Sequence, residues 1–389
     1  MTTNPRTTAV VPFSSLTTFR VGGEPAEYAE ATSVRELTAL LDEGWRRYDD
    51  WMVVGGGSNL LVGSDGFPGI AIAVRTRGIE RVDVPEVPDG TVRVRIQAGE
   101  SWEDVVAFAV DAGLSGIEAL SGIPGSSGAA PIQNIGAYGA EIGDVLSSVE
   151  LYDRESGRLE RVRADELGLG YRTSVLKRHG GGPAEREAVV VSIDLDLTRS
   201  VDGLGAPIAY PQLAKALGVE LGDRVALAEV RRAVLALRSS KGMVLDPDDR
   251  DSWSAGSFFT NPIVSERFAA ELPADAPRWP VDDVEEPVTV LPLDGSAGFD
   301  LPILSPLVED ERRVKLSAAW LIENAGIGRG FALPGSNAAI SSKHTLALTN
   351  RGNASGEDIA ALARYVQARV QSEFGVLLLP EPVVVGLDI

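Results

Sequence analysis

Most of the chain alternates between helix-period and strand-period patterns of apolar residues. Residues 33–45 place Val34, Leu37, Leu40 and Leu41 on one helical face, behind a Ser33-x-x-Glu36 capping signature. Residues 51–54 form a short apolar strand that runs straight into Gly-Gly-Gly-Ser-Asn at 55–59. Strand-like runs follow at 70–74 and 92–96. Residues 101–113 repeat the helix signature, with Ser101-x-x-Asp104 opening it and Gly113 closing it. Between 122 and 143 periodicity disappears under Gly, Ser and Pro, and an irregular stretch of that length inside a compact domain is more often functional than incidental. Strand patterns return at 149–152 and 188–197, followed by a helix at 226–240 with Val230, Ala233, Val234 and Leu237 on one face. Residues 246–251 are an acidic, proline-containing break that reads as a domain boundary. Residues 272–304, rich in Pro and Asp, read as an insertion. Helices are expected over 311–325 and 355–374, and apolar runs at 376–379 and 383–385 flank Pro380, Glu381 and Pro382.

At 389 residues the chain is too long for one ordinary core, so two or three domains are expected. The formal charge of −20 argues against a nucleic-acid partner, which needs a basic face, but leaves room for small anions held by local cations. No apolar run reaches the ~20 residues of a membrane span. The first ten residues lack the pattern of a secretory signal, so a cytoplasmic protein without membrane contact is expected. With no cysteine there is no disulfide, thiolate nucleophile, iron–sulfur cluster or thiolate zinc site. The two histidines, His179 and His344, cannot build a His-rich metal centre, and no metal is expected. Difficult chemistry must therefore come from an organic cofactor or from Ser, Arg, Lys, Asp, Glu and Tyr.

The glycine runs are the strongest local signal. A strand ending in Gly55, Gly56, Gly57, Ser58, Asn59 and Leu60 lets backbone N–H groups approach an anion with no Cβ in the way. Alone, the triple glycine fits a tight strand turn equally well, and it is neither a G-x-G-x-x-G fingerprint nor a Walker loop. The second run, with Gly122, Ile123, Pro124, Gly125, Ser126 and Gly128, then Gln133, Asn134, Ile135, Gly136, Tyr138 and Gly139, adds hydroxyls and amides able to bond phosphate and ring heteroatoms. It is too apolar at Ile123, Ile132, Ile135 and Tyr138 for a solvated surface loop. Together the runs point to FAD held through its pyrophosphate outside a standard Rossmann frame.

At this point the sequence resembles a known family. "VVGGGSNLLVGSDGF" (53–67) and "SGIPGSSGAAPIQNIGAYGAEIGD" (121–144) are similar to the UDP-N-acetylenolpyruvoylglucosamine reductases of peptidoglycan synthesis. "TTFRVGG" (17–23), "YRTSVLK" (171–177), "GSFFTNP" (256–262), "KLSAAWLIENAG" (315–326), "SSKHTLALTN" (341–350) and "LLPEPVVVG" (378–386) follow in the family's order. The resemblance implies an α+β protein: a vanillyl-alcohol-oxidase-type FAD-binding fold of two subdomains, 1–67 and 68–243, with the segment 375–389 returning to the first. A separate α+β substrate-binding domain would occupy 244–374. "IAYPQLAKALG" (208–218) favours the longer subtype, in which Tyr210 closes over the substrate. The excursion at 272–304 departs from the usual pattern and is given no ligand contact.

The implied reaction uses non-covalent FAD, with NADPH as co-substrate, to reduce the enolpyruvyl ether of UDP-N-acetylglucosamine enolpyruvate. A hydride from flavin N5 adds at C3, charge spreads from C2 into the carboxylate, and a proton then reaches C2. By the resemblance Arg172 grips the carboxylate, Ser257 gives the proton, and Glu381, its backbone held extended by two prolines, helps neutralise the charge. A serine hydroxyl is a poor free acid and must be acidified or relay a proton from water. Tyr210, Lys241, Asn261, Lys315 and His344 are implied substrate contacts, Lys315 on an apolar helix; His179 is given no role. A monomer is expected. Two other readings are a flavin oxidase of the same superfamily and a non-catalytic nucleotide-sugar sensor. The first is opposed by the lack of Cys or His in the glycine runs for covalent FAD, the second by the presence of Arg172, Ser257 and Glu381 together.

Overall fold

In the computed structural model, residues 11–84, 87–178, 184–281 and 312–389 are described. His179 and most of the 272–304 excursion lie outside them. The chain divides into two compact units, one comprising Met1–Phe258, Arg329–Arg364 and Pro380–Ile389, the other Phe259–Gly328 and Tyr365–Leu379.

In the first unit, the strands Pro25–Ala31, Phe67–Val74 and Trp51–Val54 form a parallel sheet with Phe67–Val74 in the centre. The helix Val34–Arg47 connects two of them and buries Leu37, Leu40 and Leu41. Ser33 caps it as expected, its hydroxyl accepting from the Glu36 N–H, a contact worth about 1 kcal/mol. The Glu36 carboxylate turns to the Thr32 N–H and hydroxyl instead of to Ser33, so the capping box closes one residue early. A second, antiparallel sheet runs in the order Arg158–Arg163, Leu146–Asp153, Ala188–Arg199, Thr91–Gln97, Ile79–Val82. The alternation at Thr91–Gln97 sends Val92, Val94 and Ile96 into a core shared with the helix Trp102–Asp111, while Arg93 and Arg95 pair with Asp196 and Asp194 on the neighbouring strand. The helices Pro211–Leu217 and Leu227–Ser240 bury a smaller cluster of Ile208, Leu213, Val225, Val230 and Val234. Val383–Val385 returns to pair in parallel with Leu60–Val62, directly after the first glycine run. Pro382 thus precedes the paired strand and removes no ladder donor from it.

In the second unit, Arg313–Leu316 is the central strand of an antiparallel sheet, flanked by Ile263–Ser265 and Arg278–Val281. The single helix expected over 311–325 is corrected here. Val314 and Leu316 are buried in strand alternation, and Ser317 then caps a shorter helix, Ala318–Asn324, by accepting from the Trp320 N–H. The apolar 3.6-period reading failed because a four-residue buried strand and a helix share the same composition. Lys315 consequently lies on a strand. No helix among the described residues is long and apolar enough to cross a membrane.

Candidate active site

The two glycine runs meet backbone to backbone. A Cβ on Gly56 would stand 2.7 Å from the Gly125 Cα, and one on Gly55 would stand 2.2 Å from the Ser126 hydroxyl. Gly57 has φ +62° and lies so close to the Leu16 carbonyl that no side chain fits. The Ser58 hydroxyl donates to the Pro124 carbonyl at 2.9 Å, and Arg75 holds the Gly55 carbonyl at 2.9 Å. The second run hangs on the start of the helix Trp102–Asp111: the Trp102 N–H donates to the Gly125 carbonyl, and the Glu103 carboxylate accepts from the Gly122 N–H. Among the described residues no protein group accepts from the backbone N–H groups of Gly56, Gly57 and Ser58. Consecutive free N–H groups on a glycine-rich turn suit an anion such as a phosphate.

Asn59 ties this cradle to the C-terminal strand. Its amide donates to the Gln133 side chain at 2.9 Å and to the Glu381 carbonyl at 3.4 Å, while its own carbonyl accepts from the Val383 N–H. The Glu381 N–H donates to the Phe258 carbonyl at 2.8 Å, which sets Ser257 beside the glutamate in the fold although 124 positions separate them in the chain. Ser257 is partly buried, and its hydroxyl has no protein hydrogen bond among the described residues.

Arg172 joins the three parts. Its Nε stands 3.0 Å from the Glu381 carboxylate, and its terminal nitrogens donate to the carbonyls of Asn134 at 3.3 Å and Gly136 at 3.1 Å. Four non-glycine residues among those described have positive φ, and three of them, Asn134, Tyr138 and Arg172, are here. Clustered left-handed residues with side chains mark a backbone held against its preference, as at functional sites. The Asn134 side chain is engaged within the loop, bonding Glu141, Gly143 and Gly170, so only its backbone faces other tasks. Burial raises the Glu381 carboxyl above the usual carboxylate range, while Arg172 and Lys177 act against that rise.

A second group gathers around Tyr138. Its ring meets the exposed Tyr210 edge to face at 5.8 Å, and the Lys241 ammonium lies 5.9 Å from its centre and donates to Gln212 at 2.9 Å. Tyr210 precedes the helix Pro211–Leu217, and Lys241 ends Leu227–Ser240. His344 sits in the turn after Ala338–Ile340, its N–H bonded to the Ser341 hydroxyl. Leu346, two residues on, accepts from the Phe258 N–H. In the second unit Asn261 accepts from the Ala318 N–H at 3.0 Å, close to the strand that carries Lys315.

Two residues of this region had no sequence assignment. Lys177 donates to the Arg172 carbonyl at 2.9 Å. Arg238 is partly buried, with one nitrogen on the Met243 carbonyl and a buried Nε that has no partner among the described residues. Burial pulls both cations below their ordinary pKa. Arg238 was legible: it continues the Val230–Val234 spacing by four and so places a charge on the buried face of its helix. Lys177 carried no periodic signal.

Free N–H groups over a glycine cradle, beside a partly buried Arg–Glu pair, fit a flavoprotein, and a FAD-binding-domain family model matches residues 25–163. The family model of the UDP-N-acetylenolpyruvoylglucosamine reductase C-terminal domain matches residues 246–385. A UDP-N-acetylenolpyruvoylglucosamine reductase from Leifsonia xyli subsp. xyli is 55% identical over 384 residues, covering 97% of this chain and 98% of its own. One from Saccharopolyspora erythraea is 46% identical over 372 residues, with coverage of 96% and 94%. The chain belongs to the UDP-N-acetylenolpyruvoylglucosamine reductase family and is an FAD-binding oxidoreductase. The crystal structure of the Thermus caldophilus reductase superposes with a TM-score of 0.59 at 24% identity, over 97% of this chain and 98% of that one, which supports the α+β fold.

Proposed function

We propose that this chain reduces the enolpyruvyl ether of UDP-N-acetylglucosamine enolpyruvate to the lactyl ether of UDP-N-acetylmuramate, with NADPH as reductant. The observation that carries this reading is the Arg172–Glu381 pair, fixed on the carbonyls of the second glycine run and adjoining Ser257. When bound, FAD would supply electron storage, able to take a hydride equivalent from NADPH and to give one to C3 of the enolpyruvyl group. Arg172 already uses Nε and one hydrogen of each terminal nitrogen, and the remaining two N–H bonds can take the substrate carboxylate in a forked pair. It stays charged as negative charge moves from C2 into that carboxylate, so the stabilisation is in place before the charge develops. Ser257, its hydroxyl free of protein partners among the described residues, delivers the proton to C2. Burial makes Glu381 less acidic, against the pull of Arg172 and Lys177, and a proton on it would relieve the charge that Arg172 alone does not. Tyr210, Lys241 and His344 are assigned to the nucleotide sugar.

Anaerobic stopped-flow kinetics separate the two halves. Ser257→Ala is expected to leave bleaching of the yellow enzyme by NADPH near its native rate. Recolouring by the enolpyruvyl substrate should slow by roughly 100-fold or more, the scale of a lost general acid. Equal slowing of both halves makes Ser257 structural and sinks the assignment. Recolouring by oxygen but not by the enolpyruvyl substrate sinks the substrate reading.

A further inference from the structure

Lys177 lies five residues after Arg172, on a turn fastened to the second glycine run. Ser174 donates to the Ile132 carbonyl at 2.6 Å, and the Lys177 N–H donates to the Ser174 carbonyl at 3.0 Å. The Lys177 ammonium reaches back to the Arg172 carbonyl at 2.9 Å. Arg172 has φ +57°, a conformation that residues with a Cβ avoid and that persists only where its surroundings hold it. A charged donor on that carbonyl is a strong restraint, because charge-assisted hydrogen bonds are shorter and stronger than neutral ones.

A partly buried ammonium is a costly way to hold one carbonyl, and Glu381 supplies the second reason for it. Arg172 and Lys177 are the two cations that oppose the effect of burial on this carboxyl. With Glu381 ionised, Arg172 and Glu381 cancel, and an incoming carboxylate would meet no net compensation. Lys177 makes that three-charge set positive by one, so the set is neutral once a carboxylate arrives.

Resting on the reading of Arg172 and Glu381 given above, we propose that Lys177 is a positioning residue for the enolpyruvyl reduction. It locks the backbone that aims the Arg172 guanidinium and provides the positive charge that admits a substrate carboxylate beside Glu381.

The test uses FAD-loaded Lys177→Met and Lys177→Arg enzymes. In Lys177→Met, reoxidation by the enolpyruvyl substrate should slow by roughly 10- to 100-fold, the rate equivalent of one charge-assisted hydrogen bond, with bleaching by NADPH much less affected. The affinity of the oxidised enzyme for the enolpyruvyl substrate, measured by calorimetry, should weaken by about 10-fold, and Lys177→Arg should recover most of both effects by restoring the charge. The double variant Arg172→Ala/Lys177→Met should lose much less than the two single losses combined, since the backbone part of the Lys177 role runs through Arg172. The proposal is overturned by additive losses, by equal slowing of both half-reactions, or by native reoxidation and substrate affinity in Lys177→Met. A failure to load FAD that Lys177→Arg does not repair also overturns it. Arg172→Ala keeps the two ideas apart: native reoxidation in that variant removes the reading of the site itself, whereas slow reoxidation there with none in Lys177→Met removes only the positioning role.

Discussion

Gly56→Ala tests the glycine cradle most directly. The new Cβ would lie 2.7 Å from the Gly125 Cα, 3.0 Å from the Gly125 carbonyl carbon and 3.3 Å from the Ser126 nitrogen. All three are backbone atoms, so no side chain can swing aside. Restoring an unstrained carbon contact of ~3.5 Å requires the loops to part by roughly 0.8 Å. Overpacking of this kind costs about 1–3 kcal/mol, which is about 5- to 150-fold if it falls on ligand affinity. The FAD dissociation constant, read from quenching of flavin fluorescence as apoprotein is added, should therefore rise by about 10- to 100-fold. Gly55→Ala should cost less, because its nearest neighbour is the rotatable Ser126 hydroxyl. Gly328→Ala, with nothing within 4 Å of its Cβ, is the control and should change nothing. Native FAD affinity in Gly56→Ala would refute the idea that the touching of the two loops sets the cofactor site.

Three more outcomes are expected. Tyr210→Phe should weaken binding of the UDP-sugar several-fold, the scale of one hydrogen bond, as measured by calorimetry; an unchanged affinity counts against Tyr210 as a closing residue. Glu357, whose carboxylate accepts from the Ser64 N–H and hydroxyl, has a pKa of about 2: burial pushes it up, and the Ser64 hydrogen bonds more than reverse that. A carboxyl depressed by folding adds stability that is complete above its unfolded pKa and fades as pH falls through the folded one, so Glu357→Gln should lower the melting temperature at pH 7, by a margin that shrinks as pH falls toward 2 and closes below it. Asp194 is buried and accepts from Arg95 twice at 2.8 Å and from Arg161 at 2.9 Å. Because both arginines keep a quarter to a third of their side chains exposed and can rehydrate, Asp194→Ala should cost about 2–3 kcal/mol in urea unfolding rather than the ~3–5 of a stranded buried charge. A loss below about 0.5 kcal/mol, the range of an ordinary surface change, would show that the network carries no stability.

Local pattern determined a good deal of this protein. The helices Val34–Arg47, Trp102–Asp111 and Leu227–Ser240 follow from apolar residues three and four apart, and for the first two from Ser33 and Ser101 as caps. The strands Trp51–Val54 and Ala188–Arg199 follow from β-branched apolar runs, and the glycine runs announced themselves because a missing Cβ is visible in the sequence. What the sequence could not supply were relations between distant segments. The strand Arg313–Leu316 was hidden because short apolar stretches read alike as strand or helix until a partner strand selects one. Lys177 looked like any lysine until the fold turned its ammonium onto the Arg172 carbonyl. Resemblance named Arg172, Ser257 and Glu381, but only the tertiary structure set Glu381 at 3.0 Å from Arg172 and hydrogen-bonded its backbone to the residue after Ser257. The physical reason is that periodicity and capping are local energies, readable within a turn or two of chain. Burial, ion pairing and pKa shifts depend on neighbours that pairing of Val383–Val385 with Leu60–Val62 brings from more than 300 residues away.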